Sequence, residues 1–153
     1  MEYVTLNNGI KMPKLGYGVY QTPPEDTKRC VLDAIDVGYR SIDTAQAYYN
    51  EEGVGAALAE CGLPREEFFL TTKVWITNAG YDQAKASIQQ SMDKLGTDYL
   101  DLLLIHQPFG DYYGTIGPWR SCMTRASCGP SACPTSARTA IWISSTLPAS
   151  SPP

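Results

Sequence analysis

Asp43, Tyr48, Lys73 and His106 are the residues whose types and positions suit proton chemistry. Asp43, Lys73 and His106 each close an apolar run that reads as a strand, over Tyr39 to Asp43, Phe68 to Lys73 and Tyr99 to His106. Tyr48 falls five residues past Asp43, in the turn before the next helix. A buried strand ending in an acid, with a phenol in the loop beyond, suits the rim of an active site. A phenol can protonate a developing alkoxide, but with a free pKa of about 10 it gives up its proton reluctantly at neutral pH. An ammonium beside it stabilises the phenolate left behind, and a carboxylate beside that ammonium offsets the cost of burying it. An imidazole can orient a carbonyl and polarise it as charge develops. Taken singly, each residue has a plainer reading. Asp43 could be a turn or capping residue, Tyr48 a packed aromatic with a wet hydroxyl, Lys73 a solvated strand end and His106 a hydrogen-bonded core histidine. Only their order and shared placement at strand ends set the four apart.

The elements that must position them alternate. Tyr3 to Leu6 and Ile10 to Met12, joined through Asn7-Asn8-Gly9, predict a β-hairpin. Leu15 to Gly18 reads as a short first strand, with Val19-Tyr20-Gln21 at its rim. Pro23-Pro24-Glu25-Asp26 opens a helix with proline and acids in the first turn; Val31, Ala34 and Ile35 share its buried face, and Gly38 ends it. Glu51 to Cys61 predicts a second helix with Val54, Ala57, Leu58 and Cys61 on one stripe. Tyr81 to Leu95 predicts a third, with Tyr81, Ala84, Ile88, Met92 and Leu95 on one side and Gly96 as its cap. The run Leu102 to Ile105 is apolar on both faces, as in a parallel strand covered by helices. Four alternations of strand and helix predict a parallel sheet built from βαβ units. Periodicity does not separate a barrel from a doubly wound sheet, since both carry their chemistry at the carboxyl ends of strands.

Length and charge bound the rest. The chain has 153 residues and a net charge of −4. That is enough for one domain with a sizeable core, short of the roughly 250 residues of a complete (β/α)8 barrel, and the wrong sign for a general nucleic-acid surface. No apolar run is long enough to span a membrane, and the N-terminus does not read as a secretory signal. Five cysteines show no tight pairing; Cys30 and Cys61 read as small core residues, which points to a reduced, cytoplasmic setting. Cys122, Cys128 and Cys133 lack metal-ligand spacing, so no metal is expected. Gly16-Tyr17-Gly18 is not a dinucleotide fingerprint, because the third glycine and the following helix are missing.

Three segments carry a family resemblance: Ser41-Ile42-Asp43-Thr44-Ala45-Gln46-Ala47-Tyr48-Tyr49-Asn50-Glu51, Thr71-Thr72-Lys73-Val74-Trp75, and Asp101 to Pro108. Over residues 1 to about 115 the chain resembles the aldo-keto reductases. The resemblance implies an α/β fold, a (β/α)8 TIM barrel of which only about the first four β/α units are present, with the hairpin closing its bottom. It implies NADPH-dependent reduction of aldehydes or ketones to alcohols, with NADPH ahead of NADH as cofactor. Tyr48 would be the proton donor, supported by Lys73 and Asp43, while His106 orients the carbonyl. Tyr20 and Trp75 would line the substrate mouth with His106, and Gly18 and Asp43 would lie on the cofactor side. The partner implied is a small carbonyl substrate, with no nucleic acid or membrane, and the intact family member would be a monomer.

The resemblance breaks near residue 116. Every acidic residue lies at or before Asp111 and every lysine at or before Lys94, while residues 116–153 hold three of the five cysteines and two of the three tryptophans. Reading the last base of each codon with the first two of the next, from Ile116 through Ser136, permits RAMEELYDEGKLRAIGVSNF. That is the helix, fifth strand and Ser-Asn-Phe expected of the family; Trp119 and Met123, each with a single codon, still fit. Residues 116–153 are therefore expected to be a frameshifted, mostly disordered tail outside the family domain of residues 1–115. Two alternatives to turnover stay open: a non-catalytic barrel fragment, and a module that binds nicotinamide without turnover. A genuine tail anchored on a partner through Trp119, Ile141 and Trp142 is the rival to the frameshift.

Overall fold

The computed structural model describes residues 1–6, 8–117 and 140–142. Two short strands, β1 (Tyr3–Thr5) and β2 (Lys11–Pro13), pair antiparallel with Val4 opposite Met12. Gly9, at φ +84°, supplies the left-handed turn residue, while the Asn8 side chain accepts from the Ile10 amide. Then come β3 (Tyr17–Gly18), α1 (Pro24–Asp36), β4 (Ser41–Asp43), α2 (Glu51–Glu60), β5 (Phe69–Val74), α3 (Tyr81–Leu95), β6 (Leu102–Ile105) and β7 (Ala140–Trp142). The second sheet runs β3-β4-β5-β6-β7, every pair parallel. Among the described residues it stays open and does not close into a barrel.

The helices cover one face of this sheet. Val31 and Ile35 of α1, Val54 and Ala57 of α2, and Ala84 and Leu95 of α3 are buried with Ile42, Leu70, Val74, Leu103 and Ile105. Alternation along the strands sends Phe69, Leu102 and Leu104 to the other face, where Leu6, Ile10 and Met12 of the hairpin pack on them. The hairpin thus covers the sheet opposite the helices, the position expected of a barrel floor.

The structure corrects three expectations. The strands are shorter than their apolar runs. Before β6, Arg65 donates to the Tyr99 carbonyl and to Asp101 Oδ2, while the Asp101 amide donates to the Leu70 carbonyl of β5. The buried side of α3 includes Ser87 and Ser91, while Tyr81 is exposed and Ile88 and Met92 are half-buried. Cys30 and Cys61 are half-buried free thiols; Cys61 packs against the core as expected, whereas Cys30 is not part of it. Of the expected tail, residues 116 and 117 end a helical segment over 112–117, and Ala140–Trp142 lies parallel to β6, with Ile141 opposite Leu103. The remaining expectations for the tail, among them Trp119 and its three cysteines, fall outside the described residues. Among the described residues no helix is long and apolar enough to cross a membrane, and no cluster of metal ligands occurs.

Candidate active site

Four neighbouring strands deliver the predicted residues to one edge. Gly18 and Asp43 are direct partners in the β3–β4 register, and Asp43 pairs with Thr71 of β5. Lys73 is the penultimate residue of β5. His106 follows β6, and its amide donates to the Val74 carbonyl at 3.1 Å. Tyr48 comes from a 3-10 turn at Gln46–Tyr48 between β4 and α2. Tyr49, at φ +57°, then swings the chain into α2, a left-handed conformation uncommon outside glycine.

Lys73 is the hub. Its ammonium donates to Asp43 Oδ1 at 2.5 Å, to the Thr44 carbonyl at 2.9 Å and to Tyr48 Oη at 3.3 Å. A lysine ammonium has three donors, and all three are used. Because Tyr48 Oη accepts from Lys73, the phenol keeps its own proton free to donate elsewhere. The Lys73 side chain is 13% exposed against 40% for Asp43, so the pair is buried on one side and open on the other.

His106 sits across the cleft. Its ring meets Tyr48 edge-on at 5.5 Å and Trp75 at 5.1 Å, and Tyr20 lies 5.1 Å from Tyr48. The rings of Tyr20, Tyr48, Trp75 and His106 thus form one continuous rim. Burial, with the Lys73 ammonium second, pushes the imidazole below its ordinary pKa of 6.5, against a smaller opposing effect of Asp43. It is therefore neutral at neutral pH and carries one N–H donor. Among the described residues, His106 Nδ1 is buried without a hydrogen-bond partner. A lone pair at that atom is cheaper to orphan than an N–H, which leaves the proton on Nε2.

All seven predicted site residues therefore lie at the carboxyl edge of the sheet or its rim. Gly18 and Asp43, the two expected on the cofactor side, leave room and a polar group at this edge. Gly18 has no atom within 4 Å of where a Cβ would stand, and beside it Asp43 keeps part of its carboxylate accessible. A bound nicotinamide cofactor would supply the hydride that no side chain can donate.

The sequence reading passed over the residues beneath the rim. The Thr44 hydroxyl donates to Asn50 Oδ1, and Asn50 Nδ2 donates to the Val19 and Thr22 carbonyls, tying the Tyr20 loop to the Tyr48 turn. Glu51, 3% exposed, accepts from the Thr72 hydroxyl at 2.7 Å. Gln46 joins the same turn to β5 and α3. A cavity of about 180 Å³ opens against Gln46, Ala47 and Trp75 but includes none of Asp43, Tyr48, Lys73 or His106. Asn50-Glu51 stands next to the Tyr48 motif and was in view. The Gln46 contacts left no local signal, because they join residues more than 25 positions apart.

An open parallel sheet with helices on one face and an Asp–Lys–Tyr–His set at its carboxyl edge defines a β/α protein with a candidate site at its strand ends. The aldo/keto reductase family model matches residues 7–140, and the chain belongs to that family. It is 53% identical over 105 residues to an aldo-keto reductase of Mycobacterium sp. (strain KMS), covering 69% of this chain and 38% of that protein. It is 48% identical over 119 residues to the glyoxal reductase of Bacillus subtilis (strain 168), covering 77% of this chain and 42% of the relative. The crystal structure of a Bombyx mori aldo-keto reductase in complex with NADP superposes with a TM-score of 0.79 at 31% identity, covering 93% of this chain and 50% of that one. The chain thus spans less than half the length of these curated relatives.

Proposed function

We propose that this chain carries the catalytic half of an NADPH-dependent reductase that converts aldehydes or ketones to alcohols. The observation behind the proposal is the Lys73 ammonium, bonded at once to Asp43 and to Tyr48 Oη. The carbonyl oxygen would sit between Tyr48 Oη and His106 Nε2. The imidazole donates a hydrogen bond that holds and polarises it. Tyr48 gives its proton to the oxygen as negative charge develops there, and the Lys73 ammonium stabilises the phenolate that remains. Tyr20 and Trp75 shield the reacting carbon from water. The choice of NADPH over NADH draws support from the NADP complex of the silkworm protein. An aldehyde substrate draws support from the glyoxal reductase relative.

The test is consumption of NADPH by the 153-residue chain with glyoxal and a panel of small aldehydes, beside Tyr48→Phe. Removing a positioned general acid lowers turnover by about 10²–10⁴-fold. Equal rates in the two proteins, or a wild-type chain that neither binds nor consumes NADPH, would end the proposal. The tail belongs to the same reading. We take residues 116–153 as out-of-frame translation of a longer family barrel, supported by curated alignments that cover only 105 and 119 residues. Resequencing the coding DNA across codons 110 to 155 tests this; a confirmed frame refutes it.

A further inference from the structure

We propose that Gln46 is a positioning residue that sets the width of the carbonyl mouth, an inference that rests on the reductase reading above. Gln46 opens the 3-10 turn that carries Tyr48, and its side-chain amide is saturated. Oε1 accepts from the Trp75 amide at 2.9 Å and from Asn78 Nδ2 at 2.9 Å. Nε2 donates to the Ser87 carbonyl at 3.2 Å and to Ser91 Oγ at 3.1 Å. The network fixes which end is which, since the Trp75 amide can only donate and the Ser87 carbonyl can only accept.

One side chain therefore clamps three elements: the proton-donor turn, the strand end that presents Trp75, and the buried serine face of α3. Trp75 and Tyr48 each pack against the His106 ring, so the Gln46 amide, which joins the two, sets how the walls around the carbonyl stand relative to each other. Packing does not duplicate the clamp. The cavity of about 180 Å³ lies directly against Gln46, Trp75, Asn78, Ser87 and Ser91, and the loop has room to move once the amide is gone. A glutamate there would keep the acceptor for Trp75 but place an oxygen against the Ser87 carbonyl. A methionine would lose both halves, and an asparagine, one methylene short, could not span the gap.

The experiment uses the 153-residue chain and two readouts that need no turnover. The first is hydrogen exchange of the Trp75 backbone amide. The second is the proton resonance of the His106 imidazole, the only histidine, which senses the ring currents of Tyr48 and Trp75. In Gln46→Met the Trp75 amide should exchange about tenfold faster, the effect of losing one such hydrogen bond, and the His106 resonance should move. Gln46→Asn should do the same more mildly and serves if the methionine variant does not fold. Gln46→Glu should leave Trp75 protection near wild type. With an aldehyde substrate, KM should rise in Gln46→Met more than kcat falls. Trp75 exchange within about twofold of wild type in both Gln46→Met and Gln46→Asn, with His106 unmoved, overturns the proposal even if the variants melt earlier. If both readouts move as stated while the wild-type chain consumes no NADPH, the clamp stands and the reductase reading fails.

Discussion

Gly55 lies in the middle of α2, where α2 crosses α3 at its C-terminal turn. In an exposed helix, Gly→Ala adds about 1 kcal/mol of stability. Here the new Cβ would overlap the Lys94 carbonyl and stand 2.8 Å and 2.9 Å from the backbone C and Cα of Leu95. Ordinary contact begins near 3.4 Å, so the helices must part by roughly half to one ångström, and backbone cannot swing aside as a side chain could. Val54 and Ala57 are fully buried and Leu95 is 2% exposed, so that separation loosens contacts on both sides. Overpacking of this kind costs about 1–3 kcal/mol and outweighs the propensity gain. Gly55→Ala should be less stable by about 1–2 kcal/mol, a fall in Tm of roughly 3–8 °C for a chain of this size. The assay is urea denaturation, read as a lower midpoint at unchanged slope. Ala56→Gly, at an exposed position of the same helix, calibrates propensity alone and should cost about 1 kcal/mol. If Gly55→Ala proves as stable as wild type or more so, close approach of the two backbones is not what selects this glycine.

Thr72→Val removes the hydroxyl bonded to Glu51 while keeping shape, and leaves a buried carboxylate one partner short; it should cost about 1.5–3 kcal/mol in the same urea assay. Adding Glu51→Met should recover part of that loss, and strictly additive losses would show that the two groups do not interact. The depressed pKa of His106 gives stability a definite pH slope. The unfolded chain binds more protons than the folded one just below pH 6.5, so stability should fall as pH drops from about 6.5 through the folded pKa. His106→Gln should flatten that slope, and an unflattened slope would assign it to other groups. Because the Lys73 ammonium lowers the His106 pKa and the Asp43 carboxylate raises it, NMR titration should find it higher in Lys73→Met and lower in Asp43→Asn. Shifts of opposite sign would refute the electrostatic assignment.

The sequence by itself determined the order of elements and the identity of the four candidate residues that meet at one sheet edge. Apolar runs ending in Asp43, Lys73 and His106 mark strand ends, and a parallel sheet must bring the carboxyl ends of successive strands to one edge. Helix signals were local as well: Pro24 with its acids opened α1, and Gly96, at φ +63°, closed α3. The expected face of α3 was only partly right, because hydrophobic spacing picks out Ile88 and Met92 but gives no reason to bury Ser87 and Ser91. That reason is Gln46, 41 and 45 residues away, whose amide makes a polar patch of the helix the favourable one to bury. The start of β6 was likewise decided in three dimensions, where Arg65 holds the Tyr99 carbonyl while the Asp101 amide donates to the Leu70 carbonyl of β5. Chemistry carried by side chains at strand ends is readable in one dimension because strand periodicity places it. The hydrogen bonds that hold those side chains at working distances join residues with no sequence relationship, and only the packed chain brings donor to acceptor.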